Sequence, residues 1–194
     1  ISGICFILIL SVLNRYFEIL KWQNLVSYHH KISVAESTKQ VLSALTASLF
    51  TPNGLGEYAG KALYFDKKSA KKIVFLNLIC NGIQMLLSVV FGVFGLLYFN
   101  THFNLITSQT VLVLFGSCIL FGILFFSKKI NIKGYSIEKL IHKINEIPKV
   151  IHQKNIFLGI CRYLVFSHQY YFLFLAFDVD LPYFIMMASI ASVY

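Results

Sequence analysis

The chain has 194 residues, 57% of them hydrophobic and 13% charged, with a formal net charge of +9 and a mean hydropathy of +0.71. That balance excludes an ordinary soluble domain or a disordered chain and fits a helical integral membrane protein. The lysines stand beside apolar runs, the positive-inside pattern of membrane loops, which excludes a basic nucleic-acid-binding face.

No alternating strand pattern of the barrel type is present. Ile1 is not a start methionine and Tyr194 falls inside an apolar run, so the chain is expected to be a piece cut within membrane helices at both ends. Cys5, Cys80, Cys118 and Cys161 each sit alone in an apolar run, which predicts packed free thiols and no metal site.

In chain order, residues 1–25 read as a spanning helix that carries Ser11, Asn14, Arg15, Glu18 and Trp22 on one face. Arg15 and Glu18 can pair at i, i+3, and Lys21 and Trp22 suit the headgroup level. His29-His30 lies in a polar connector without acidic neighbours.

The stretch 34–50 is weakly apolar, and its continuous apolar part is shorter than the roughly 20 residues a span needs. It holds two small-x-x-x-small pairs, Ser43 with Ala47 and Ala44 with Ser48, which allow close helix contact. It runs into Thr51-Pro52-Asn53-Gly54-Leu55-Gly56-Glu57, where Pro52-Asn53-Gly54 is turn chemistry. A helix restarting near Gly56 puts Glu57 in its first turn, where the dipole favours an acid.

Residues 72–99 read as a clear span, with Asn77, Asn81, Gln84, Ser88, Gly92 and Gly95 in one stripe that should face protein or a wet cavity. A second span is expected over 110–126, where Cys118 and Gly122 offer another close contact. Residues 136–152 have apolar positions at helical spacing, Ile137 to Ile151, and predict an interfacial helix with its apolar face on the bilayer and a bend at Pro148. A span over 155–177 follows, with Arg162 close enough to its basic end to snorkel outward. His168 is expected in a hydrogen-bonded packing role. After an acidic turn, 181–194 begins a further span.

Lysine distribution orients these elements. The basic stretches Lys61–Lys72 and Lys128–Lys154 and the polar end of the first helix, Arg15 to Lys31, read as cytoplasmic. The uncharged loop Asn100–Gln109 and the turn at Asp178 and Asp180 read as external. Residues 34–65 therefore start and end on one side, which predicts a re-entrant helical hairpin with Thr51–Gly56 at its tip. Broken helices of this kind frequently form binding sites in transporters; the bland alternative is an interfacial loop with solvated charges. The fold class is thus all-α, a polytopic membrane helical bundle in a single transmembrane domain.

These residues resemble a known family, the transmembrane region of bacterial lysylphosphatidylglycerol synthases (the multiple peptide resistance factors) and their stand-alone relatives. The resemblance rests on Arg15 and Trp22 at the first helix end and on Thr51, Pro52, Gly56 and Glu57 in a Thr/Ser-Pro-x-x-x-Gly-Glu turn. Tyr58 and Lys61 stand where related sequences vary. The resemblance implies a lipid flippase region in a bacterial inner (cytoplasmic) membrane, with aminoacyl transfer belonging to a separate soluble domain. It also implies a second Gly-Glu turn, which would lie beyond Tyr194.

A phospholipid is accordingly the expected partner, through Glu57 toward a cationic headgroup and Arg15, Lys61 or Arg162 toward a phosphate. Asn77, Asn81 and Gln84 are candidate polar lining, and Thr51, Pro52, Gly54, Gly56 and Glu57 form the motif. No cofactor, catalytic residue or nucleic-acid partner is implied, and homo-oligomerisation is left open. The alternatives are a membrane enzyme acting on a lipid-linked substrate, for which Glu57 has no second carboxylate or nucleophile–base partner in sequence, and a non-catalytic membrane subunit.

Overall fold

A computed structural model describes residues 2–104, 107, 110, 116, 131–132, 135–179 and 181–193. Apart from Thr110 and Gly116, the span expected over 110–126 lies outside the described residues, Cys118 and Gly122 included. The described chain is helical except for a two-residue antiparallel pair, β1 (Asn131–Ile132) with β2 (Tyr135–Ser136). Its helices are α1 (Ser2–Val26), α2 (Val34–Leu49), α3 (Leu55–Ala62), α4 (Ala70–Phe103), α5 (Ile137–Asn145), α6 (Lys149–Ala176) and α7 (Tyr183–Val193).

The architecture is a membrane helical bundle. Within α1, Gly3–Val26, and the whole of α4, Ala70–Phe103, are long and apolar enough to cross a bilayer. Exposed Ile4, Leu8 and Val12 on α1, and Met85, Leu86 and Phe94 on α4, make outward apolar surfaces of the kind lipid covers. At 28 residues, α6 is about 42 Å long, enough to cross, although Arg162, His168 and Gln169 dilute its apolarity.

α1 and α6 run antiparallel. The Asn24 side chain donates to the Ile151 carbonyl near one end (2.9 Å), and Phe6 meets Phe172 edge-on near the other (4.7 Å). α4 lies parallel to α6, with Phe91 stacked on Tyr163 at 4.3 Å and Gly159 against Leu87. α7 returns beside α4, where a side chain at Gly95 would collide with Ala191 and Ala188. His168 links α6 to α7: its Nδ1 bonds the Leu164 carbonyl (2.8 Å) and its Nε2 the Tyr183 hydroxyl (3.0 Å). That is a hydrogen-bonded packing role.

Between α1 and α4 sits a helical hairpin made by α2 and α3. Ser33 starts α2 with a capping box, its hydroxyl accepting from the Glu36 N–H while the Glu36 carboxylate accepts from the Ser33 N–H (2.7 Å). A 3-10 turn at Pro52–Gly54 reverses the chain, and Gly54 takes the left-handed conformation (φ 67°) that a side chain would resist. Gly56 and Gly60 then lie directly on the α2 backbone at Ala47 and Ala44, with no room for a Cβ. The small residues of α2 thus meet the glycines of α3.

The two ends of the hairpin come back together. His29, His30 and Glu36 from its start and Tyr64, Phe65 and Asp66 from its finish line one cavity of about 450 Å³. The His29 Nε2 is 3.0 Å from the Ser69 hydroxyl just before α4.

Three expectations about position change. Lys21 and Trp22, expected in the headgroups, are 1% and 0% exposed, because α2 and α4 close over that face of α1. Arg162 does not snorkel, since Glu18 and Asn14 across the α1–α6 contact offer it acceptors. The amphipathic segment breaks at Pro148, so Lys149–Ile151 already belong to α6. Its Ile144, Ile147 and Ile151 cover Trp22, Leu25, Ile73 and Leu76 in the core, and so face protein where the bilayer was expected.

Candidate functional site

α3 restarts at Leu55, one residue before the expected point, with Glu57 in its first turn and Lys61 in its last. The turn before it is tied by Thr51, whose Oγ1 donates to the Ala47 carbonyl (3.1 Å) and accepts the Gly56 N–H (2.7 Å). Thr51 therefore stitches the end of α2 to the start of α3, Pro52 opens the intervening turn, and Gly54 completes it. These motif residues set the direction in which Glu57 leaves the helix.

Glu57 faces α4. Its Oε1 accepts from the Lys61 ammonium (2.9 Å) and from the Asn81 side-chain N–H (3.2 Å). Lys61 also donates to Asn77 Oδ1 (2.7 Å) and lies over the Trp22 ring, 4.8 Å from its centroid. Burying an ammonium is costly unless it is paired and hydrogen-bonded, and Lys61 has a carboxylate, an amide and an aromatic face. The Lys61 side chain is 1% exposed while that of Glu57 is 25% exposed. Among the described residues no hydrogen bond reaches Glu57 Oε2, so the acid keeps an open edge where the base has none.

The polar set continues along α1. Lys21 donates to Gln84 Oε1 (2.9 Å) and to the Cys80 carbonyl (3.3 Å). The Trp22 indole N–H donates to Gln40 Oε1 (2.7 Å), and the Ser37 hydroxyl to the Ile19 carbonyl (2.8 Å). Asn77, Asn81 and Gln84 thus point their amides at the hairpin and α1. Two buried amide nitrogens, Asn77 Nδ2 and Gln84 Nε2, have no acceptor among the described residues.

A separate cluster joins α1 to α6. Glu18 pairs with Arg15 at 2.7 Å and with Arg162 at 3.3 Å, and Arg162 Nε also donates to Asn14 (2.9 Å). Arg15, whose side chain is 44% exposed, borders a groove of about 250 Å³ with Ser11, Asn14, Gln169 and Tyr170. The candidate residues therefore divide: Glu57, Lys61, Asn77 and Asn81 in one cluster, Gln84 bound to Lys21 beside it, and Arg15 with Arg162 on the α1–α6 side. Lys61, expected to meet a lipid phosphate, has its ammonium fully engaged and sealed from solvent, which disfavours that contact.

Gln40, Ser37 and the buried position of Lys21 were not legible as site residues. The available signal was spacing, since Ser37, Gln40, Ala44 and Ala47 repeat every three or four residues on the helix face that carries the glycine contacts.

The family model described as Lysylphosphatidylglycerol synthase TM region matches residues 2–193, nearly the whole chain. No curated protein and no solved structure matches it.

Proposed function

We propose, from the premise that this chain belongs to the lysylphosphatidylglycerol synthase TM region family, that it binds and translocates a phospholipid with a cationic headgroup. The family match takes up nearly all of the 194 residues and leaves no space among them for an aminoacyl-transferase domain. The reading therefore concerns lipid handling and not aminoacyl transfer. The host is a bacterial inner membrane, crossed several times.

One observation carries the proposal: a glutamate at the base of a hairpin turn, fixed on one oxygen by Lys61 and Asn81 and open on the other. Oε1 takes the buried partners, which hold the carboxylate oriented. Oε2 is free for a headgroup ammonium, a charge-assisted contact worth about 1.5–3 kcal/mol. Arg15 is the better candidate for the lipid phosphate, because it stays half-exposed beside a groove. Arg162 supports it indirectly by sharing Glu18.

Glu57→Gln tests the reading. It keeps shape and the Asn81 contact while removing the charge. Translocation of an aminoacylated phospholipid, followed as its appearance in the outer leaflet, should fall roughly tenfold to a hundredfold, and by more than for Glu36→Gln at the exposed capping box. A well-expressed Glu57→Gln protein with normal translocation would leave the hairpin a structural element only.

A further inference from the structure

A third cavity, apart from the two already described and from Glu57, lies at the end of the bundle where α1 finishes and α4 begins. It encloses about 360 Å³ and is lined by Lys68, Lys71 and Lys72 before and within the first turn of α4 and by Lys143 of α5. Among the described residues none of these four ammonium groups has a carboxylate within 4.0 Å. The one acid in the lining, Glu146, is turned to His142, with 3.1 Å between Oε1 and Nδ1.

Aromatic rings hold two of the cations, one from α4 and one from α5. Lys72 sits over Tyr28 at 4.8 Å and Lys143 over Phe75 at 5.9 Å. Four like charges around one cavity repel one another, and two of them stand in a helix first turn, where the dipole is also positive. Such an arrangement is relieved by an anion between the walls. Leu76 and Ile147, also in the lining, are apolar and belong to the core, so the pocket combines its charges with an apolar wall.

α4 has 34 residues and a length of about 51 Å, well beyond a hydrocarbon core of about 30 Å. That excess lets the first turn, which carries Lys71 and Lys72, sit at headgroup level, where charged side chains avoid the cost of burial in hydrocarbon. We infer that this pocket binds the phosphate of an anionic membrane phospholipid, clamping α5 to α4 through the shared headgroup. The occupant is distinct from a cationic-headgroup lipid at Glu57: here the recognised group is the phosphate, and four of the five charged side chains in the lining are basic. Basic pockets between helices on the lysine-rich side of a membrane protein suit this chemistry.

The test is an equilibrium titration of the full chain in neutral detergent micelles with phosphatidylglycerol, phosphatidylcholine or inorganic phosphate. The variant Lys71→Gln/Lys72→Gln/Lys143→Gln is compared with Lys31→Gln/Lys67→Gln/Lys154→Gln, which removes equal charge outside the pocket. Phosphatidylglycerol should bind the unchanged chain, with affinity falling roughly fivefold per pocket lysine removed and far less in the comparison variant. Glu57→Gln should leave this binding intact, which separates the pocket from the translocation reading. Equal losses in both triple variants would reduce the effect to diffuse surface charge and overturn the proposal. Phosphatidylcholine binding as well as phosphatidylglycerol would do the same. Inorganic phosphate saturating the site and excluding the lipid would show that the source is free phosphate, overturning the lipid assignment. Should the triple variant not fold, Lys143→Gln alone carries the test, and unchanged phosphatidylglycerol affinity there would refute the pocket.

Discussion

Lys61 and Glu57 differ in what solvent can reach, and that difference makes their substitutions separable. Removing the cation by Lys61→Met strands a half-buried carboxylate and the Asn77 oxygen, and breaking one side of a buried pair typically costs about 3–5 kcal/mol. A large drop in thermal stability is therefore expected for Lys61→Met, and a much smaller one for Lys61→Met/Glu57→Gln, where no unpaired charge remains. Equal stability of the single and double variants in a detergent melt would mean that the pair is not coupled. The spacing of these two residues was readable in advance, since i, i+4 places an acid and a base side by side on a helix. The sequence could not say that Trp22 and Asn77, 39 residues before and 16 after Lys61, would close around the ammonium. Those contacts depend on where α1 and α4 meet the hairpin, and no local pattern encodes that.

At the scale of elements, the α4 span followed from its apolar length, a local property of the chain. The hairpin followed instead from the lysine distribution, which puts both ends of residues 34–65 on one side, and from an apolar run too short to cross. The amphipathic segment has the expected helical periodicity and a different partner. Periodicity reports that a helix has an apolar face, not whether lipid or protein covers it, and Ile144, Ile147 and Ile151 found the core. The join between elements carries a pH dependence. Burial, then Lys72 and His30, push the His29 imidazole below its ordinary value of 6.5, so the folded chain favours the neutral ring bonded to Ser69. A folded value below the unfolded one means that the folded state binds fewer protons as pH falls below about 6.5. Stability at this site is thus full above that pH and declines below it. A thermal melt should lose midpoint between pH 7 and pH 5.5, and His29→Gln should flatten that part of the profile. At the other end of the same connector, Ser33→Ala removes the cap of α2 and should cost about 0.5–2 kcal/mol.

Over the whole molecule, one end of the bundle collects the C-terminus of α1, both ends of the hairpin and the starts of α4 and α6. Asn24 reaches Ile151 there, His29 reaches Ser69, and residues from both sides of the hairpin share one cavity. That same end carries Lys31, Lys67, Lys68, Lys71, Lys72, Lys143 and Lys149, whereas the far end of α4, from Asn100 to Asn104, and the turn after α6 at Asp178 carry no lysine or arginine. Because α1 ends and α4 begins at this same end, the chain between them must go out and come back, and the single reversal at Pro52–Gly54 does that whether or not the hairpin reaches the far side. The lysine asymmetry then orients the molecule with the collected end in the cytoplasm. Cysteine labelling in intact cells measures this, in a background where Cys5, Cys80, Cys118 and Cys161 are replaced. An impermeant reagent should modify Thr107→Cys and Asp178→Cys at the far end and spare Lys67→Cys at the near end until the membrane is opened. Labelling of Lys67→Cys in sealed cells, with Thr107→Cys protected, would invert the topology. Glu57 would then open toward the outer half of the membrane from a hairpin rooted outside, and the phosphate pocket beside Lys72 would meet outer-leaflet headgroups.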